Sequence, residues 1–252
     1  MIGMILWSEP GKGRKQKGVV LREKIILHMR FLCAEVKRGK GTPEAVLRRR
    51  VLTAAKQLRK QGVLRVVPAE EFPFEQQLEK VGIRLVSTLA LRRALAADWV
   101  RFVLERKDQK SVPGAKVAVS AAQLTGEVVR TVTELSLRHR YVLLDLPVGG
   151  EELCRQLRRE YGVSLLLKPT EDQMAEADAL LLFDERTALR QGTAAVLPLY
   201  TEEPEMPRLL LPPALEAALP EGMDRERLLA ALQDAGVLKN GQISLGEGKN
   251  RP

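Results

Sequence analysis

Gly114–Asp184 reads GAKVAVSAAQLTGEVVRTVTELSLRHRYVLLDLPVGGEELCRQLRREYGVSLLLKPTEDQMAEADALLLFD. Short runs rich in Val and Leu fall at Val117–Val119, Tyr141–Leu146, Val163–Leu167 and Ala179–Phe183. Each suits a strand buried on both faces. Between them apolar residues recur every three or four positions, the period of a helix. The helix expected over Ala122–Arg138 sets Leu124, Val128, Val132 and Leu135 on one face, and the next buries Leu153, Leu157 and Tyr161. Strand and helix in alternation predict βαβ units and a parallel sheet.

A sheet of this kind takes small ligands in the crevice at the carboxyl ends of its strands. Strand-end geometry therefore nominates Ser120, Thr125, Gly126, Asp145, Lys168 and Asp184 as ligand-binding residues. A dinucleotide fingerprint needs glycines in the first strand-to-helix turn, for the tight bend and for close approach to the pyrophosphate. Ser120-Ala121-Ala122-Gln123-Leu124-Thr125-Gly126 supplies only Gly126 there. Asp145 stands where an acid could hold a ribose hydroxyl, roughly twenty residues on. Gly149-Gly150 opens a helix whose first turn carries Glu151 and Glu152, which satisfy the helix dipole themselves and repel an anion.

Working outward, Ile2–Trp7 predicts a buried first strand, and Gly11–Gly18 is a glycine-rich basic loop. A helix is expected next, with Leu21, Ile25, Met29 and Leu32 on one face. Strand, glycine loop and helix together form a context that favours anions. Gly11, Lys12, Gly13, Arg14, Lys15 and Lys17 are thus a candidate anion site. Gly13 and Gly18 have the spacing of an NTPase phosphate loop, but Val19-Val20 replaces its lysine and hydroxyl, which excludes that class.

A strand follows at Phe31–Val36, then a helix capped by Thr42, begun at Pro43 and closed by Gly62. Arg48, Arg49, Arg50, Lys56, Arg59 and Lys60 clothe that helix. Further strands are expected at Val63–Val67 and Ile83–Val86, and a long helix over 88–107. Gln61-Gly62-Val63, Val81-Gly82-Ile83 and Tyr161-Gly162-Val163 each read as a helix ending in glycine and passing at once into a strand.

The charge is uneven. Residues 1–110 carry a net +14 and residues 111–252 a net −5, within a total of +9. A basic half of this kind favours an anionic partner, nucleic acid included. Aromatic content of only 4% argues against stacking platforms for bases. No apolar run approaches the roughly 18 residues of a membrane span, and Met1–Trp7 is too short for a signal-peptide core. With Cys33 and Cys154 read as reduced thiols, a cytoplasmic protein without membrane partners is expected. His28 and His139 have no ligand at metal spacing, and there is neither a Gly-x-Ser-x-Gly elbow nor a Cys-x-x-Cys pair. Metal-dependent and triad hydrolysis are disfavoured, and no metal site is expected.

From Tyr200 five prolines break up an irregular strap. Asp224 then caps a helix, and Val237–Leu245 suggests a hairpin around Asn240-Gly241. The expected architecture is α/β: two Rossmann-like parallel-sheet halves joined by a long helix, with a small C-terminal helix–hairpin appendage. Its expected divisions are a basic domain at 1–110, a Rossmann-like domain at 111–200, and a strap, helix, hairpin and disordered tail at 201–252. The layout is similar to that of dehydrogenases in which a substrate domain precedes a dinucleotide domain. That similarity is architectural and carries no residue over.

Three functions follow from these features. The first is a non-catalytic or regulatory binder of a small anionic ligand at the strand ends. The second is a nucleic-acid-associated protein acting through the basic half. The third is an atypical nucleotide-dependent oxidoreductase or transferase, and the cofactor and whether a reaction occurs at all stay open.

Overall fold

The computed structural model describes residues 1–9, 18–107, 112–185, 192 and 194–247. The chain divides into two compact units. The first is Met1–Thr88 with Leu210–Ile243, and the second is Leu89–Leu209 with the segment from Ser244. This partition differs from the sequence-based one at 110/111 and 200/201.

In the first unit, Ile2–Ser8 (β1) is the central strand of a five-stranded sheet. Val19–Ile26 (β2) and Met29–Lys37 (β3) form an antiparallel hairpin, and β3 lies parallel to β1. The helix expected from Leu21 is therefore a strand. The four-residue spacing of Leu21, Ile25 and Met29 imitated a helical stripe. The hairpin turns through Leu27 and His28, at φ +46° and +69°. Two adjacent positive φ values are the mark of a type I′ turn, normally made by Asn-Gly, so the turn left no sequence signal. His28 consequently sits at a hairpin tip and not on a helix.

Glu44–Lys60 (α1) crosses from β3 to Arg65–Val67 (β4), which pairs with the other edge of β1. Glu75–Glu79 (α2) then leads to Arg84–Leu85 (β5), giving the order β2-β3-β1-β4-β5. Leu47, Val51, Ala54 and Leu58 of α1 close onto Ile5, Ala34, Val36 and Val66. Gly62 and Gly82 take φ of +79° and +72° at the helix-to-strand turns, as the sequence pattern requires. Thr42 does not cap α1. Its hydroxyl accepts from Gly39 N, and Pro43 occupies the cap position.

The second unit begins with two helices, Leu89–Ala94 (α3) and Ala96–Arg106 (α4), in place of one long connector. The step comes at Leu95, whose N–H is shared between Leu91 O and Arg92 O. It lets Leu91, Leu95 and Trp99 all bury. A sheet follows: Lys116–Ser120 (β6), Gly126–Arg138 (α5), Tyr141–Asp145 (β7), Gly150–Tyr161 (α6) and Leu166–Leu167 (β8). It continues through Glu171–Ala175 (α7), Ala179–Leu182 (β9) and Ala195–Pro198 (β10). All pairings are parallel, in the order β10-β9-β6-β7-β8. Counted from β6 this is 3-2-1-4-5, the order shared by dinucleotide-binding sheets. The chain is thus an α/β protein with two Rossmann-like halves, the first carrying one antiparallel edge strand.

Arg208–Leu210 (β11) pairs with the late strand Ser244–Gly246 (β12). Between them run Pro213–Glu216 (α8) and Arg225–Asp234 (α9), the latter capped by Asp224 as expected. The expected hairpin at Asn240-Gly241 does not form. Val237 and Leu238 N–H groups instead cap α9 through Leu232 O, with Gly236 at φ +72°. The apolar pair that looked like a strand is spent on a helix terminus.

Candidate functional site

β6 pairs Ser120 with Asp145 of β7 on one side and with Leu182 of β9 on the other. The three strands thus end level, and the strand order reverses across β6. This is the point where sheets of this kind receive ligands.

The first loop off that edge is already satisfied. Ser120 is buried, and its hydroxyl donates to Asp145 Oδ2 at 3.3 Å. Ala121 N donates to Asp145 O at 3.1 Å, and Phe183 N to Ser120 O at 2.9 Å. Ala122 N, the amide placed to meet a bound phosphate, donates to Asp184 Oδ2 at 2.7 Å. A charge-assisted bond of that length leaves no donor and puts a negative charge where a phosphate would sit. Thr125 caps α5, its hydroxyl accepting from Val128 N at 3.3 Å. A Cβ built on Gly126 meets nothing within 4 Å. That glycine is not kept small by close packing, unlike those of a dinucleotide turn.

A hollow of about 350 Å³ opens beside it, at the carboxyl ends of β7 and β8. Leu146, Gly149, Glu151, Arg155, Leu167 and Lys168 are among the residues that line it. Gly149 turns the chain into α6 at φ +84°, with no side chain capping the helix start. A Cβ at Gly149 would lie 2.8 Å from Cδ2 of the exposed Leu124, which can turn aside, so it is the positive φ that calls for glycine. Lys168 takes φ +50° as it leaves β8. Left-handed non-glycine residues are costly and gather where geometry serves a ligand. Lys168 Nζ pairs with Glu151 Oε1 at 3.0 Å, and both side chains are about 70% exposed. The hydrogen bond from Lys168, with its charge, holds the Glu151 carboxyl below its usual range.

The nominated residues therefore separate into four groups. Ser120 and Asp145 are brought together, Asp184 closes the first loop, and Lys168 lines the hollow, while Thr125 and Gly126 begin a helix. Arg155 in the hollow was missed, because one arginine among the charges of α6 carries no distinguishing pattern. The basic-loop set Gly11, Lys12, Gly13, Arg14, Lys15 and Lys17 lies outside the described residues. Gly18, however, leads into strand β2, so the helix half of that expected anion site is absent. On α1, Arg50 donates to Lys37 O at 2.6 Å and packs on Gly18, which makes it structural, whereas Arg48, Arg49, Lys56, Arg59 and Lys60 face solvent.

Among the described residues no three His, Cys, Asp or Glu side chains are grouped to hold a metal, and no helix is long and apolar enough to cross a membrane. No family model matches the chain, and no curated protein matches it. Among solved structures it is similar to L-tryptophan dehydrogenase from Nostoc punctiforme at 13% identity and TM-score 0.33, over 66% of this chain and 51% of that one. It is also similar to a dipicolinate synthase component from Bacillus halodurans at 15% identity and TM-score 0.30, over 48% and 42%. A third is D-2-hydroxyisocaproate dehydrogenase, at 14% identity and TM-score 0.26, over 57% and 47%. The matched region is about half the length of each of these proteins. The fold rests on the strand order described above.

Proposed function

We propose that the chain binds a small ligand bearing an anionic group in the hollow at the carboxyl ends of β7 and β8. In this reading it acts as a binding or regulatory protein and not as a redox enzyme. The observation that carries the reading is the hollow itself. Its volume falls in the range of small-ligand sites. Two cations, Lys168 after β8 and Arg155 in the second turn of α6, line it together with Glu151 and Glu152, and the ligand's anion is taken by the cations. The ligand's anion displaces Glu151 from Lys168, an exposed ion pair that costs little to open. The adjacent Ser120–Asp145 pair offers a carboxylate to a ligand hydroxyl. The filled donor at Ala122 argues against a pyrophosphate across the first loop.

Thermal-shift measurements against nucleotides and phosphorylated metabolites test this. At least one member is expected to raise Tm, with the shift lost in Lys168→Ala. No shift across the panel overturns the reading.

The second reading, nucleic-acid binding by the first unit, draws on the five solvent-facing cations of α1. It predicts affinity that falls linearly with salt on a log–log plot, and that weakens in Arg48→Ala/Arg49→Ala. Arg50 is left intact, because its loss would disturb the fold.

A further inference from the structure

A second and larger cavity, about 450 Å³, lies at the opposite, amino end of the second sheet. Its origin is a short crossover. Right-handed connections place α5 and α6 on one face of the sheet and α7 on the other. α5 and α6 have 13 and 12 residues, but α7 has five. Met174 and Ala177 pack on Ala118, Leu143 and Leu180, which covers the centre of that face. The flank over β7 and β8 stays open. Tyr141 alternates onto the same face as Leu143, whose register partner is Leu166. Tyr141 and Leu166 are accordingly 47% and 48% exposed.

The mouth of this cavity is charged. Lys116 pairs with Tyr141 at the first position of β6, and the Arg140 guanidinium lies 5.5 Å from the Tyr141 ring centroid. Neither cation is held in an ion pair among the described residues. Glu176 and Gln173 of α7 and its flank line the far side, with Ser164 beside them. Asp178 takes the Lys116 backbone N–H. Lys116 and Arg140 stand together on one side of the lip, opposite Glu176, over an apolar floor of Tyr141, Leu165 and Leu166.

We propose that this cavity binds an amphipathic carboxylate, with its apolar body on the exposed sheet face and its carboxylate between Lys116 and Arg140. The volume suits one small molecule, and the two cations choose its charge. The site is separate from the hollow at the carboxyl ends, so Lys168→Ala leaves it intact.

Calorimetric titration of the full chain with octanoate, 1-octanol and octylamine tests the proposal. Octanoate is expected to bind at least about tenfold more tightly than octylamine, the scale of one charge-assisted contact. Lys116→Gln/Arg140→Gln is expected to weaken octanoate about tenfold and to leave 1-octanol unchanged. Both substitutions are at exposed positions, so the fold is retained. Ser164→Trp, on the exposed lip, is expected to block octanoate and 1-octanol alike. No octanoate binding, octylamine binding as tightly, or octanoate binding unchanged in the double variant would each overturn the proposal. So would sedimentation as a dimer that Leu166→Asp dissociates, because a second copy would then occupy this face.

Discussion

Arg92 is only 1% exposed, and it answers its charge with backbone oxygens. Its guanidinium donates to Pro204 O at 2.7 Å and lies 6.0 Å from the Trp99 ring centroid. Its neighbour Arg93 holds Leu199 O at 2.9 Å and Glu127 at 2.8 Å. Together these arginines fasten the proline-rich strap. Arg92→Leu should lower stability by about 2 kcal/mol, because it removes the charge-assisted hydrogen bond to the strap; urea unfolding measures this. Cys33 lies in β3 with Met4 Sδ 3.7 Å away, and burial pushes its thiol up to about 11. Only the partly exposed Cys154 should then react with a thiol reagent in the native chain, with Cys33 following on unfolding. His139 is buried, its Nδ1 lies 2.9 Å from Val112 O, and its Nε2 has no partner among the described residues. Burial lowers its pKa, so as pH falls below about 6.5 the unfolded chain takes up a proton that the folded chain refuses. The stability of the native protein relative to His139→Gln should therefore be constant above that pH and decline below it, as urea unfolding across a pH series will show.

At the scale of single elements, the β2–β3 hairpin shows what a sequence conceals. Its strands end in Ile25-Ile26 and begin again at Met29, and Leu27-His28 between them holds two left-handed residues without glycine or asparagine. Replacing the pair with Asn-Gly should raise stability by about 1 kcal/mol, since each L side chain at positive φ is strained; a Tm shift would report it. The opposite case is the set of glycines at Gly62, Gly82 and Gly162. Their φ values of +79°, +72° and +69° follow directly from a helix turned into a strand within four residues. Local chemistry of that kind is legible. A spacing of four shared by strand and helix is not, and neither is Val237-Leu238, which reads as strand but closes a helix.

At the scale of the molecule, the first unit is built from two separated stretches of chain. Residues 210–243 return to it, where Asp224 N bonds Pro68 O, Glu70 N bonds Gly222 O, and Arg65 meets Asp234 at 2.9 Å. A chain ending at Leu209 should therefore lose hydrogen-exchange protection in β4 and keep it in β6, β7 and β9. The α/β character of both units was legible, because alternation depends on nearest neighbours in sequence. The candidate site was legible only as a row of strand ends. Ser120 and Asp145 meet across 25 residues, and Ala122 and Asp184 across 62. No local pattern records partnerships at such distances.

The bond from Ala122 N to Asp184 has a kinetic and thermodynamic meaning beyond its geometry. A carboxylate tethered by the fold is presented to that amide at an effective concentration no dissolved metabolite reaches, in the manner of a linked second ligand. Any phosphate arriving at the first loop competes with a resident inhibitor that never diffuses away. Asp184→Ala removes the competitor, and weak affinity for inorganic phosphate or pyrophosphate that Lys168→Ala does not abolish should emerge in calorimetry. The loop is then best understood as an occupied seat, with the occupant written into the chain.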